Sequence, residues 1–294
     1  MTCGAAASLV ISLKAIVEDP SDEVILVAPF FPEYTVFVQN AGAKSVILPP
    51  DTEHFQISLD AMEKAITPHT RAVIVNSPNN PSGVVYSADT YEKLAALLER
   101  KSKEIGHPIY LISDEPYREI IYDGLPILYV PKFYRDTIVC YSYSKSLSLP
   151  GERIGYILVP DCVTGSKEVY TAVCGAGRFM GFVCAPHLFQ DVILKCMGQT
   201  SDVNVYDQNR KLLYNGLKEM GYDCVYPSGA FYLFVKSPEP DAKAFSDKAK
   251  KLNLLIVPAD SFGCPGYVRI SYCVDPDMIR RSFAAFEKLM AQYK

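Results

Sequence analysis

The residues of this sequence with the clearest chemical potential surround Lys145, which follows an apolar run at 137–141. Burial among apolar neighbours disfavours the charged form of a lysine and lowers its pKa from the ordinary value of about 10.4. A neutral lysine amine is the nucleophile that captures a carbonyl group. Ser142 and Ser144 precede Lys145 and Arg153 follows it, so the segment could also grip a phosphate. The alternative is an ordinary lysine at a strand end that reaches solvent.

Two further polar segments also follow predicted strands. Asp114 and Tyr117 come after the run at 109–113, and Asn80 lies in a turn at 76–83 that two prolines and a glycine shape. Ligands of open α/β sheets bind beyond the carboxyl ends of strands, so these side chains could meet in one crevice. Read singly, they are also typical of a capping aspartate and a plain turn.

The beginning of the sequence could bind an anion. Ala5 and Ala6 begin a helix predicted over 5–17, and small residues there leave the backbone N–H groups accessible. A helix N-terminus carries about half a positive charge and attracts phosphate. An alanine-rich helix start is also ordinary in proteins without such a site.

Taken in order along the chain, these segments resemble those of the pyridoxal-phosphate-dependent aminotransferases of class I/II, fold type I. The similarity rests on SPNNPSG at 77–83, SDEPY at 113–117, SYSK at 142–145 with GERIGY at 151–156, and GYVRIS at 266–271. It covers essentially the whole chain. It implies a ping-pong transfer of an amino group from an L-amino acid to a 2-oxo acid.

The resemblance also implies a role for each matching residue. Lys145 would hold pyridoxal 5′-phosphate as an internal aldimine and then move a proton between the substrate α-carbon and the cofactor. Asp114 would pair with the ring nitrogen, because a buried carboxylate keeps that nitrogen protonated and the ring an electron sink. Tyr117 and Asn80 would hydrogen-bond the phenolate oxygen of the ring.

The remaining cofactor contacts implied by the resemblance involve the phosphate and the face of the ring. Arg153 and Ser142 would bind the phosphate together with the backbone N–H groups of Ala5 and Ala6. Phe31 occupies the position where the family stacks an aromatic side chain on the ring. The alternative for Phe31 is a place in the core.

Substrate binding is implied at Arg269, whose guanidinium would fork onto the α-carboxylate, and at Asn80. Arg178 lies near the place where some dicarboxylate-specific members have an arginine for the distal carboxylate. A structural ion pair or a supporting contact is the interpretation we favour for Arg178. Acidic, aromatic and neutral amino acids all stay open as donors.

The elements that would position these residues alternate between strands and helices. Apolar runs at 23–28, 45–48, 72–76, 109–113, 137–141 and 154–159 predict strands buried on both faces. Ser87 would cap a helix over 88–104. This pattern predicts an α/β fold with a mostly parallel, doubly wound sheet in a cofactor domain at 1–200.

The last third of the chain predicts a smaller α+β domain at 201–294. A long helix is expected over 203–220, followed by strands near 231–236, 254–257 and 268–271. Asp275 and Pro276 would begin a closing helix over 277–292.

Composition limits the other possibilities. The 294 residues include 29 Lys+Arg and 33 Asp+Glu, a net charge of −4 that argues against nucleic-acid binding. No apolar run is long enough to span a membrane. The 9 cysteines are an odd number without a C-x-x-C pair, so we expect neither a disulfide framework nor a metal site, and a cytoplasmic location.

The resemblance implies a homodimer, and it also departs from the family at one end. Members carry a substantial segment before the phosphate-binding turn, whereas this sequence reaches that turn at once. We therefore expect an incomplete smaller domain and an activity impaired by truncation. Two alternatives use the same residues: a carbon–sulfur β-lyase, and a truncated inactive fragment.

Overall fold

The computed structural model describes residues 1–293, which form two sheets surrounded by helices. The strands are β1 (Glu23–Val27), β2 (Lys44–Leu48), β3 (Thr70–Asn76), β4 (Tyr110–Asp114), β5 (Thr137–Ser142), β6 (Gly155–Leu158), β7 (Asp223–Val225), β8 (Tyr232–Lys236), β9 (Val257–Pro258) and β10 (Tyr267–Ser271). The helices are α1 (Ala5–Ile16), α2 (Glu33–Ala41), α3 (Leu59–Ala65), α4 (Ala88–Ile105), α5 (Tyr143–Ser146), α6 (Ser166–Phe179), α7 (His187–Lys195), α8 (Val203–Glu219), α9 (Ala242–Lys250) and α10 (Pro276–Met290).

The larger sheet has the strand order β2-β1-β3-β4-β5-β6. Strands β1 to β5 run parallel, and β6 is antiparallel to β5. Successive side chains alternate between the two faces, so Val24 and Leu26 pack with α1 and α2, whereas Ile25 and Val27 pack with α3 and α4. Helices cover both faces, which explains the continuous apolar runs. The predicted α/β class with a mostly parallel, doubly wound sheet is confirmed.

The strand register brings the polar residues to one edge of this sheet. Asn76 at the end of β3 pairs with Asp114 at the end of β4, and Asp114 pairs with Cys140 in β5. Ser142 ends β5 two residues later. These carboxyl ends therefore form one polar edge, as the sequence predicts.

The smaller sheet is antiparallel, in the order β7-β8-β10-β9, with α8, α9 and α10 packed against it. Asp275 caps α10 by accepting a hydrogen bond from the Asp277 N–H, and Pro276 occupies the first turn, as predicted. Among the helices of residues 1–293, none is long and apolar enough to cross a bilayer.

One predicted strand is displaced, and two helices had no prediction. The predicted strand at 254–257 pairs only through Val257, in β9. Leu254 and Ile256 are buried and Leu255 is exposed, so the apolar alternation is real although the backbone there forms no ladder. No element was predicted between 160 and 200, yet α6 and α7 lie there. Gly175, Gly177 and several β-branched residues in α6 lower its helix propensity and hide the pattern.

Candidate active site

A cavity of about 340 Å³ opens at the polar edge of the larger sheet and is closed on one side by the smaller sheet. The ten residues singled out from the sequence all line it: Ala5, Ala6, Phe31, Asn80, Asp114, Tyr117, Ser142, Lys145, Arg153 and Arg269. Nine of them come from helices, strands and loops of the larger sheet's part of the chain, and Arg269 comes from β10. The fold therefore brings these ten residues to one place.

Lys145 lies in α5, a single helical turn that follows β5 directly. The Ser142 hydroxyl caps this turn by accepting a hydrogen bond of 3.1 Å from the Ser144 N–H. The Lys145 Nζ lies 5.5 Å from the centroid of the Phe231 ring. Burial lowers the pKa of Lys145 from its ordinary value, and two nearby arginines lower it further. The amine is thus more easily neutral than that of a surface lysine, as the sequence predicts.

Asp114 is a buried carboxylate with one oxygen left for a ligand. Burial raises its pKa from 3.8 to about 7, although the hydrogen bond from the Tyr34 hydroxyl acts in the opposite direction. Tyr34 donates to Oδ2. Oδ1 has no hydrogen-bond partner within residues 1–293. An unpaired buried carboxylate oxygen is costly, so a cationic donor in the cavity would find a favourable partner here.

The N-terminus of α1 and Arg153 form a concave, positively charged corner. No side chain caps α1, so the first N–H groups, including those of Ala5 and Ala6, remain available. Gly4 has a φ of 89°, and a Cβ at this position would lie 2.7 Å from Arg153 Nη2. Only glycine leaves the guanidinium room against the helix start. Arg153 Nη2 also donates to the Cys3 carbonyl at 3.3 Å.

Arg269 reaches the cavity from the smaller sheet and is held on two sides. Its Nη1 donates to Asn80 Oδ1 at 2.8 Å, and its guanidinium carbon lies 4.5 Å from the centroid of the Tyr232 ring. Its Nε is buried and has no hydrogen-bond partner in the described part of the chain. A fixed guanidinium with donors to spare suits a carboxylate ligand. Because Asn80 uses its oxygen on Arg269, its amide nitrogen is left to donate.

Tyr117 is a neutral hydrogen-bonding group at the floor of the cavity. Its hydroxyl lies 2.9 Å from the Tyr232 hydroxyl, and either can be the donor. Burial holds the pKa of Tyr117 well above its ordinary value, so the hydroxyl keeps its proton across the physiological pH range.

Phe31 lies beside the cavity and is partly buried. Its ring meets the Tyr34 ring edge-on, with the centroids 5.7 Å apart. One part of Phe31 therefore supports Tyr34 while another part lines the cavity. Stacking on a ligand ring stays a prediction.

Three lining or supporting residues were not predicted as site residues from the sequence: Asn76, Tyr34 and Tyr232. Ser144, whose hydroxyl was predicted as a possible phosphate contact, also lines the cavity. Asn76 donates to the Asp114 carbonyl at 2.9 Å and accepts from the Asn80 N–H at 2.8 Å, so it ties two polar loops together. Tyr34 follows Phe31 at helical spacing, which was a usable signal. Tyr232 has the pattern of any strand residue, and only the fold reveals its contacts.

Arg178 lies exposed near the end of α6 and does not line the cavity. Arg178 forms no ion pair with any residue of the described chain, and the interpretation favoured from the sequence, an ion pair or a supporting contact, stays a prediction. Within residues 1–293, Arg178 is therefore not placed to contact the distal carboxylate of a substrate bound in this cavity.

The fold and the cavity together define a family. Residues 1–286 match the sequence model described as aminotransferase class I and II. The chain belongs to this family. Its class of reaction is therefore the transfer of amino groups.

Named relatives and solved structures agree with this assignment. The chain is 30% identical to aromatic-amino-acid aminotransferase 2 of Thermococcus litoralis, covering 100% of this chain and 76% of the relative. It is 30% identical to the aspartate aminotransferase of Pyrococcus abyssi, covering 99% and 75%. A solved amino transferase from Eubacterium rectale is similar with a TM-score of 0.98 and 62% identity, over 100% of this chain and 74% of that one.

This family uses pyridoxal phosphate, and the residues present fit that group. The buried Asp114 Oδ1 without a partner suits a protonated ring nitrogen. The corner that Gly4 keeps open beside Arg153 suits a phosphate, as does the uncapped start of α1. The Lys145 amine, whose pKa is lowered by burial, suits the cofactor aldehyde.

Proposed function

We propose that this chain transfers an amino group from an L-amino acid to a 2-oxo acid in two half-reactions, with Lys145 as the residue that bonds pyridoxal phosphate. One observation carries the proposal. A lysine with a lowered pKa, a carboxylate oxygen without a partner and an arginine with donors to spare line the same cavity. Each is the group that one part of the reaction needs.

The binding roles follow from the donors and acceptors available. Arg153, the Ser142 hydroxyl and the first N–H groups of α1 would hold the phosphate. Asp114 would pair with the ring nitrogen through Oδ1. Tyr117 and the Asn80 amide nitrogen would donate to the ring oxygen, because both are neutral donors at the floor of the cavity.

The catalytic roles centre on Lys145. When bound, pyridoxal phosphate supplies an electron-withdrawing ring that stabilises the charge left when the substrate α-carbon loses its proton. The neutral Lys145 Nζ would accept that proton and later return one. Arg269 would bind the substrate carboxylate with its fork of donors and so fix the α-carbon near Lys145. The Phe231 ring lies beside Nζ, with its centroid 5.5 Å away.

The donor amino acid is to be found by experiment. Relatives of this chain are named for aromatic amino acids and for aspartate, so these two classes come first in a screen. Arg269 would recognise the α-carboxylate that all of them share.

We also propose the domain division predicted from the sequence, with the smaller domain beginning near residue 201, and a homodimer. The start of α8 at Val203 and the separate smaller sheet support the division. Apolar side chains exposed on α6, on α7 and between them support self-association: Tyr170, Phe179, Val183, Leu188 and Leu194. A cytoplasmic location stays a prediction from the cysteine content.

The test uses the chain mixed with pyridoxal phosphate. We expect a visible absorbance band that disappears on reduction with borohydride, with the cofactor left attached to Lys145. In the unreduced protein, the band should change when an amino donor is added. Lys145→Ala should lose the fixed label and the transfer of amino groups to 2-oxoglutarate. Lys236→Ala, at an exposed strand end, is the matched control and should retain both.

Three results would contradict the proposal. Label fixed on another lysine would remove Lys145 from its role. Release of pyruvate and ammonia from cysteine conjugates without amino-group transfer would indicate a β-lyase. No uptake of the cofactor would indicate an inactive fragment.

A further inference from the structure

Tyr232 contacts a residue at each end of the cavity, Tyr117 and Arg269. It begins β8 in the smaller sheet, pairs with Ser271 of β10 and is 8% exposed. Its hydroxyl lies 2.9 Å from the Tyr117 hydroxyl. Its ring lies under the guanidinium of Arg269, at 4.5 Å. No role follows for it from the sequence motifs.

We propose that Tyr232 is a positioning residue that fixes the Tyr117 hydroxyl and the Arg269 guanidinium together, and so couples the ring-oxygen end of the site to the carboxylate end. This inference rests on the proposed function, because it takes Tyr117 and Arg269 in the roles given above.

The ring of Tyr232 acts on Arg269. A guanidinium over an aromatic face is held by attraction to the ring quadrupole, which is worth more where water is excluded. The ring and Asn80 Oδ1 hold the guanidinium on different sides. Phe262 adds a second aromatic contact at 5.0 Å. The free donors of Arg269 are thereby fixed before a carboxylate arrives, which reduces the entropy lost on binding.

The hydroxyl of Tyr232 acts on Tyr117. A tyrosine hydroxyl has one proton, so Tyr117 can donate into the cavity only if the hydrogen bond between the two tyrosines is donated by Tyr232. Accepting that bond makes Tyr117 a stronger donor, since hydrogen bonds in a chain polarise one another. Tyr117 would then stabilise negative charge on the ring oxygen more strongly than an isolated tyrosine.

The two contacts of Tyr232 can be separated by two substitutions. Tyr232→Phe keeps the ring under Arg269 and removes only the hydroxyl. The visible band of the bound cofactor changes as the cofactor takes up a proton, and a weaker donor at the ring oxygen favours the protonated form. We expect the pH midpoint of that change to rise by about half a unit, from the modest size of cooperative strengthening. The KM of the amino donor should stay within about twofold of the original value, because the ring remains.

Tyr232→Leu removes both contacts. We expect the same upward shift of the pH midpoint and, in addition, a rise of about three- to thirtyfold in the KM of the donor, the range of a partly to fully desolvated cation–π contact. Tyr267→Phe is the control. Tyr267 lies in β10 and stacks on Phe234 at 4.9 Å, away from the cavity, so its loss of a hydroxyl should leave both quantities unchanged.

The outcomes distinguish this inference from the proposed function. If the unsubstituted chain shows no visible cofactor band and borohydride attaches no cofactor to Lys145, the proposed function fails. If it shows that band but Tyr232→Phe leaves the midpoint unchanged and Tyr232→Leu leaves the KM unchanged, only the role of Tyr232 is overturned. Circular dichroism melting of each variant identifies a folding defect, and Tyr232→Phe, which keeps the packing, then decides the question.

Discussion

Burial shifts the pKa values of Lys145 and Asp114 in opposite directions. It lowers the pKa of Lys145 and raises that of Asp114 to about 7, because both groups lose hydration of their charged forms. A lysine that is easily neutral is ready to react. A carboxylate that is easily neutral becomes firmly charged only when a cation lies beside it. The ionisation of Asp114 and the binding of a cationic ring nitrogen therefore favour each other.

Tyr34 limits how far burial shifts Asp114. Its hydroxyl donates to Oδ2 and is the group that opposes the raised pKa. Tyr34→Phe should raise the pKa of Asp114 further, so that near pH 7 the residue is mostly neutral and cannot pair with a cation. We expect the affinity for pyridoxal phosphate to fall about ten- to a hundredfold at pH 7, the range for a hydrogen bond to a charged group. The dissociation constant is measured by fluorescence titration.

The pH dependence gives this prediction its sign. A raised pKa lowers the ionised fraction of Asp114 at pH values near and below the pKa. The loss of affinity in Tyr34→Phe should therefore be largest at pH 6–7. It should shrink toward pH 9, where Asp114 is ionised in both proteins. Tyr86→Phe, at a buried tyrosine on the other face of the sheet, is the control. A loss that is equal at all pH values would assign Tyr34 to packing alone.

The site residues were predictable wherever a local motif carried them. Asp114, Asn80 and Lys145 each follow a strand, and parallel strands end at a common edge. Tyr34 and Tyr232 escaped because their contacts cross from one element to another. The partner of Tyr34 is Asp114 on a different element, and no spacing along the chain specifies which aromatic side chain meets which carboxylate.

At the scale of elements, the positively charged corner between the N-terminus of α1 and Arg153 should depend on one glycine, Gly4. Gly4 combines a φ of 89° with a guanidinium in the space that a Cβ would occupy. Gly4→Ala should cost about 1–3 kcal/mol of stability, because a φ of 89° with a ψ of 173° is a backbone region that essentially only glycine adopts. The new Cβ should also displace Arg153. We expect the affinity for pyridoxal phosphate to fall at least tenfold, measured by titration, together with a lower melting temperature.

Gly42 is a matched control for the backbone effect. It ends α2 with a φ of 98° in the αL region, and no atom lies within 4 Å of the position that a Cβ would take, so it shares the positive φ but not the neighbour. Gly42→Ala should also lower the melting temperature and should leave the cofactor affinity unchanged. If both variants lose affinity equally, the effect comes from stability and not from the corner beside Arg153.

Element prediction succeeded where burial on both faces made the strands apolar throughout. The runs that contain β1, β3, β4 and β5 are such cases, and their helices have readable ends, such as Ser87, whose hydroxyl caps α4. The prediction of elements failed where side chains are buried in alternation but the backbone does not pair in a sheet. The segment at 254–257 alternates like a strand because Leu254 and Ile256 face the core, but only Val257 joins the ladder.

At the scale of the whole molecule, the site depends on how the two sheets are tied together. Tyr117 lines the cavity and also packs in the core of the smaller sheet. Two backbone hydrogen bonds follow it: the Ala230 N–H donates to the Ile120 carbonyl at 2.9 Å, and the Tyr122 N–H donates to the Ser228 carbonyl at 3.0 Å. The segment from Tyr117 to Tyr122 therefore fixes the position of β8, and with it Tyr232, against the larger sheet.

The proposed homodimer depends on an exposed apolar groove beside α6. Tyr170 and Val183 are 61% and 72% exposed and line one groove of about 310 Å³ beside α6. Apolar side chains grouped in this way favour association, because water leaves them when a second copy covers them. Changing both to glutamate would bury two unpaired charges in such an interface, which is strongly unfavourable. We expect the double variant Tyr170→Glu, Val183→Glu to sediment as a monomer at concentrations where the original chain is a dimer.

The control places the same charge on an apolar side chain outside this groove. Leu255 is 84% exposed in the part of the chain that packs with the smaller sheet, and Leu255→Glu should leave the sedimentation coefficient unchanged. A monomeric original chain would contradict the homodimer itself. A double variant that stays dimeric would show that the interface lies away from α6. Two unpaired charges buried in the interface would prevent dimerisation, even if its rim were partly accessible to water.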